Sequence, residues 1–70
     1  MIKTTTWWFG IDDPDSDLCG EEFFVEVNAF PDIAKRVAIG RAAALFPNEE
    51  IKCYGRVSAF EAEMMGLDTY

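Results

Sequence analysis

The 70-residue chain has no histidine, only two cysteines, and six bases against thirteen acids. Without histidine, the commonest general base and the commonest transition-metal ligand are missing, which leaves carboxylates and thiols as the obvious catalytic groups. Cys19 and Cys53 stand far apart with no CxxC or Cys/His spacing, so neither a zinc motif nor a redox dithiol motif is present and reduced thiols are expected. Cys19 has no adjacent base to make it a nucleophile, and so small a chain rarely builds the cleft that carboxylate-pair hydrolysis needs. The expectation is a non-enzyme with no metal and no cofactor. No apolar run approaches the roughly 18 residues that span a bilayer, and Met1-Ile2-Lys3 leads into Thr4-Thr5-Thr6 rather than a signal-peptide apolar region. A cytoplasmic monomer is the expected state.

What is present is a dense apolar complement: 50% of the residues are hydrophobic and 14% aromatic. That is enough for one folded domain over residues 1–70, although a chain of this size buries only about 60% of its unfolded surface and has a thin stability margin. Thr4 to Ile11, rich in β-branched and aromatic residues and followed by an Asp/Pro/Ser cluster, predicts a first strand. Glu22 to Val27 predicts a second, with Phe23, Val25 and Val27 on one face and Phe24 and Glu26 on the other. Pro31-Asp32 suits a helix start, and the helix should reach about Phe46 before Pro47-Asn48. Its expected core stripe is Ile33, Val37 and Ala44, flanked by Ala34 and Leu45. Arg41 lies beside that stripe, its stem covering apolar surface while the guanidinium reaches solvent or a carboxylate. Gly40 in mid-helix suggests a close approach to the sheet.

Ile51 to Val57 alternates strictly and predicts a third strand, with Ile51, Cys53, Gly55 and Val57 on one face and Lys52, Tyr54 and Arg56 on the other. Ser58-Ala59-Phe60-Glu61 matches a capping box, so a short helix should run to about Met65 and stop at Gly66, leaving Leu67 to Tyr70 as a tail. The fold class is α+β: a three-stranded, mainly antiparallel sheet with one main helix on one face, in the order β-β-α-β plus a short C-terminal helix. The helix between strands two and three implies a right-handed crossover between parallel neighbours or near-neighbours. Trp7, Trp8, Phe9 and Ile11, apolar on both faces, favour the first strand in the middle, with 1-2-3 as the alternative order.

Charge is distributed unevenly. Residues 12–26 carry seven acids and no base, whereas residues 33–46 carry Lys35, Arg36 and Arg41 and no acid. Acidity of this kind repels DNA, RNA and anionic membranes and attracts basic surfaces. Three readings compete for the stretch Asp12 to Glu22. Asp13-x-Asp15-x-Asp17 reproduces the first three ligand positions of an EF-hand loop, but position six is Leu18 rather than Gly and position twelve is Phe24 rather than Glu. A solvated turn accounts for Asp12-Asp13-Pro14-Asp15, but not for the continuation through Glu21, Glu22 and Glu26 without a neighbouring base.

The third reading is a surface for a partner that normally holds nucleic acid, in which Asp12, Asp13, Asp15, Asp17, Glu21, Glu22 and Glu26 stand in for phosphates. Such a surface also needs a desolvated anchor. The sheet face bearing Phe24, Tyr54 and Trp8 beside Lys52 and Arg56 is one candidate, unless Phe60, Met64 and Met65 of the terminal helix cover it. Aromatics beside bases also suit single-stranded RNA, but the net charge of −7 argues against direct nucleic-acid binding.

Size, acidity, the β-β-α-β order and the acidic stretch together resemble the small phage-encoded anti-CRISPR proteins, several of which look like DNA to their targets. The helix segment Ile33 to Ala38 and the ending from Gly55-Arg56-Val57-Ser58 through Glu61 to Tyr70 look similar to small phage proteins of no assigned role. The resemblance implies an inhibitor that binds the basic DNA-recognition groove of a CRISPR effector complex and blocks target or PAM recognition. The competing class is a small structural or regulatory module, antitoxin-like or a small subunit, that docks through an apolar sheet face.

Overall fold

The computed structural model describes all 70 residues. In chain order the elements are β1 (Lys3–Ile11), β2 (Glu22–Ala29), α1 (Ala34–Leu45), β3 (Ile51–Val57) and α2 (Ala59–Met65). The strands form one sheet in the order β2-β1-β3, with both pairings antiparallel. The doubly apolar β1 is therefore central. β2 and β3 run parallel to each other on either side of it, joined by α1 across one face.

Partners in an antiparallel register share a face, so Phe9 with Phe23, Trp7 with Val25 and Thr5 with Val27 all point towards α1. Phe9, Ile11, Phe23, Val25, Val27 and Ala29 meet Ala34, Ala38 and Ala42 of the helix in a single core. The stripe expected at Ile33, Val37 and Ala44 is not the buried one. Ala34, Ala38 and Ala42 are 1, 0 and 0% exposed, whereas Val37 and Leu45 are 37 and 40% exposed. The sheet brings the bulk of the core itself, and only a row of alanines at four-residue spacing lets the helix axis come close enough to cover it.

The helix also begins later than expected. Pro31 and Asp32 belong to a turn closed by the bond from Ile33 N–H to Phe30 C=O, and no acid occupies the first helical turn. A Cβ placed on Gly40 would meet nothing within 4 Å, so this glycine is not explained by a close approach to the sheet. Gly40→Ala is accordingly expected to stabilise the protein by about 1 kcal/mol through helix propensity, read as a rise of roughly 4–8 °C in Tm.

β3 departs from strict alternation. Its register shifts between Trp8 and Phe9, so that Phe9 opposes Cys53 while Trp8 opposes Gly55. Gly55, at φ +132°, takes the backbone conformation that lets this irregularity form. The shift reverses the faces beyond it. Val57, opposite Thr6, lies away from α1 and is 7% exposed, while Arg56, opposite Trp7, moves to the helix side.

α2 carries the predicted capping box, with Ser58 Oγ accepting from Glu61 N–H and Glu61 accepting from Ser58 N–H, and it closes at Gly66. The segment after it is not a free tail. Phe24 N–H donates to Asp68 C=O, Tyr70 N–H to Phe24 C=O, and Glu26 N–H to Tyr70 C=O, so residues 68–70 shield the outer edge of β2. Arg41 completes the shield. Its Nη1 donates to the Glu26 carbonyl at 2.7 Å, a backbone partner rather than the solvent or carboxylate expected for it.

Candidate interaction surface

Hairpin closure sets the acidic stretch at one end of the sheet. Ile11 N–H donates to Glu21 C=O and Gly20 N–H to Ile11 C=O, so the residues between them form a projecting loop. The loop organises itself locally. Asp13 Oδ1 accepts from Asp15 N–H, Ser16 Oγ from Leu18 N–H, and the Asp13 and Ser16 carbonyls accept from Ser16 and Cys19 N–H. These Asx and Ser turns explain why Asp and Ser occur there, and the exposed carboxylates of Asp12, Asp15 and Asp17 take no part in them.

The fold adds acids that the linear sequence does not associate with the loop. Asp12 N–H donates to Glu50 C=O at 2.9 Å, which fixes the Glu49-Glu50 connection beside the loop. One carboxylate oxygen of half-buried Glu49 is enclosed without a hydrogen-bond partner. Asp68 arrives through its backbone bond to Phe24 and shares a cavity with Glu21 and Glu22. Nine of the thirteen acids, Asp12, Asp13, Asp15, Asp17, Glu21, Glu22, Glu49, Glu50 and Asp68, thus converge at this end.

Lys52, opposite Gly10, is the base that accompanies them. Lys3, opposite Ala29, marks the other end of the sheet, and Lys35 and Arg36 lie in the first turn of α1, which follows β2 from that end. A strand the length of β1 spans roughly 25 Å, several times the Debye length of about 8 Å at physiological ionic strength. The distant bases therefore do not neutralise the acidic end. Glu26 is separate from it, since it pairs with Thr6 in mid-sheet and lines a shallow polar groove with Asn28, Arg41, Thr69 and Tyr70.

No three His, Cys, Asp or Glu side chains form a group able to hold a metal ion. Cys19 is exposed and Cys53 half-buried, and both are free thiols. No helix is long and apolar enough to cross a membrane.

The sheet face away from α1 is largely spoken for. Phe24 is 0% exposed, Trp8 is half-buried, and of the three aromatics proposed there only Tyr54 is substantially open, at 44%. Tyr54 lies 4.7 Å from Trp8 between ring centroids and covers Gly10, where a Cβ would come within 2.6 Å of its ring. Lys52 Nζ sits 5.8 Å from the Tyr54 centroid, and Trp8 Nε1 donates to Glu22 at 3.2 Å. Of Phe60, Met64 and Met65, expected to cover this face, Phe60 and Met64 are 72 and 73% exposed, whereas Met65 is half-buried.

A different apolar feature lies within the acidic end. Buried Ile11 and Phe23 and half-buried Phe46 form the floor of a cavity of about 160 Å³, the more exposed Leu18 and Tyr70 its walls, and the exposed Glu21 and Asp68 its rim, with Glu22 beside them turned to Trp8. Phe46 packs against Phe23 at 4.8 Å and edge-on to Tyr70 at 6.2 Å. No sequence signal joins these residues, because they come from β1, the acidic loop, β2, the end of α1 and the final segment.

The chain matches no protein-family model, no curated protein and no solved structure. The functional reading rests on geometry and charge.

Proposed function

We propose that this protein is a non-enzymatic inhibitor that occupies the basic nucleic-acid-recognition groove of a protein complex by DNA mimicry. In this reading it acts in the cytoplasm as an anti-CRISPR protein that blocks DNA or PAM recognition by a CRISPR effector complex. The observation that carries the reading is the convergence of nine carboxylates from three separate segments on one end of the molecule, with Lys52 as the accompanying base. Mutual repulsion makes such a gathering costly unless an opposite surface uses it. B-DNA presents about one negative charge per 1.7 Å of axis, and a groove built for that density attracts this end of the protein.

Association driven this way is fast and screened by salt. The protein brings no condensed counterion layer of its own, so its affinity should fall with salt less steeply than that of DNA for the same groove. In a pull-down from cells carrying a CRISPR effector, capture of a basic nucleic-acid-binding subunit should weaken about tenfold or more between low and roughly 0.5 M salt. Capture unchanged across the series would mean that the acids are a solvated connection and that docking is apolar.

A further inference from the structure

We infer that the cavity within the acidic end is a socket for one arginine side chain of the protein partner. The inference deepens the proposed function and rests on its claim that the partner surface is basic, but it concerns a separate set of atoms and can be tested without the partner.

Three features select the occupant. The cavity of about 160 Å³ has an apolar, aromatic floor and wall. A dry apolar cavity of about 150 Å³ holds benzene, so the volume suits a planar guanidinium with part of its methylene stem. Glu21 and Asp68, which line the cavity from separate segments, supply the acceptors, while the Glu22 carboxylate is engaged by Trp8; two carboxylates suit a flat group with five donors better than a point charge. Phe46 and Tyr70, 87° apart in ring plane, offer faces on which a cation can lie, and Tyr70 and Leu18 are 49 and 40% exposed and so open to an incoming chain. A phosphate or a carboxylate is excluded by the rim's charge, and a wholly apolar side chain would leave the rim carboxylates desolvated.

The walls are held in place before binding. The Phe24 N–H to Asp68 C=O and Tyr70 N–H to Phe24 C=O bonds, both 2.8 Å, fix Asp68 and Tyr70 against β2. A preformed socket is the kind of site where binding energy concentrates in a charged, acid-rimmed surface. It also supplies the anchor that the opposite sheet face, with Phe24 buried, does not.

The test is an NMR titration of the whole protein with acetyl-Gly-Arg-Gly-amide, its lysine counterpart and its citrulline counterpart. The arginine peptide should give saturable shifts centred on Leu18, Phe46 and Tyr70, with affinity several-fold above the lysine peptide and no saturable response to citrulline. Glu21→Gln combined with Asp68→Asn should weaken the arginine peptide about tenfold, whereas Asp13→Asn with Asp15→Asn should leave it within about twofold. Leu18→Ala, a change at an exposed wall, should weaken it without altering charge and serves as the second variant if the rim pair disturbs folding. Equal response to lysine and arginine, or shifts spread over Asp12 to Asp17, would overturn the socket. So would salt-sensitive capture of a basic partner that is indifferent to Leu18→Ala and to the rim variants, a result that leaves mimicry standing. Saturable arginine binding without capture of any basic partner would support the socket and count against mimicry.

Discussion

Replacing Asp12, Asp13, Asp15 and Asp17 together by asparagine should weaken binding to the basic partner roughly 100-fold while leaving the protein folded. Each exposed charge pair contributes about 0.2–1 kcal/mol, so four pairs sum to about 1–4 kcal/mol, and the upper half of that range is roughly two orders of magnitude in Kd. Asparagine is the informative replacement because its carbonyl can still accept the Asp15 N–H bond that Asp13 Oδ1 makes in the loop turn. Removing four like charges from a crowded end should also hold or slightly raise Tm. Loss of binding with Tm retained would separate charge from fold. Affinity within about threefold of wild type would show that the four aspartates are solvated turn residues.

Ala38→Leu should be far more damaging to stability than a like change on the exposed side of α1. Ala38 is 0% exposed and lies in the middle of the alanine row that seats α1 on the sheet. Extra methylenes forced into such a contact cost about 1–3 kcal/mol. A 70-residue protein has a total margin of roughly 3.5–10 kcal/mol. At about 2 kcal/mol the expected fall in Tm is roughly 8–16 °C. Val37→Leu, one position earlier on a side chain that is 37% exposed, should change stability by less than about 0.5 kcal/mol. The reverse ranking in thermal melting would restore the stripe through Val37 as the true helix face.

These two experiments mark where the sequence was readable and where it was not. Strand and helix identities follow from local chemistry: the two-residue period of Glu22 to Val27 and the capping box at Ser58 to Glu61 both appear in the fold. The central place of β1 follows from its apolar character on both sides. The helix face was misjudged because α1 is apolar over much of its surface, and hydrophobicity ranks Val37 above Ala38. Proximity to a bulky sheet, which is a tertiary condition, reverses that order. The register shift beside Gly55 was likewise hidden, since the written alternation of Ile51 to Val57 continues through it.

For the candidate site, the loop acids could be read directly because they are contiguous. Glu49, Glu50 and Asp68 could not, because only the Asp12 to Glu50 and Phe24 to Asp68 backbone bonds bring them to the same end. Glu26 shows the converse: it is close to the loop acids in sequence but is carried away along β2 to a polar groove beside Arg41.

The central claim is that this protein occupies a site meant for DNA, and competition tests it most directly. The captured basic complex, loaded with a short fluorescent duplex carrying its recognition sequence, is titrated with the protein at fixed, low salt. Mimicry predicts full displacement of the duplex, with an apparent affinity that weakens in proportion as duplex concentration is raised. A stable ternary complex, with duplex and protein bound together at saturation, would contradict it.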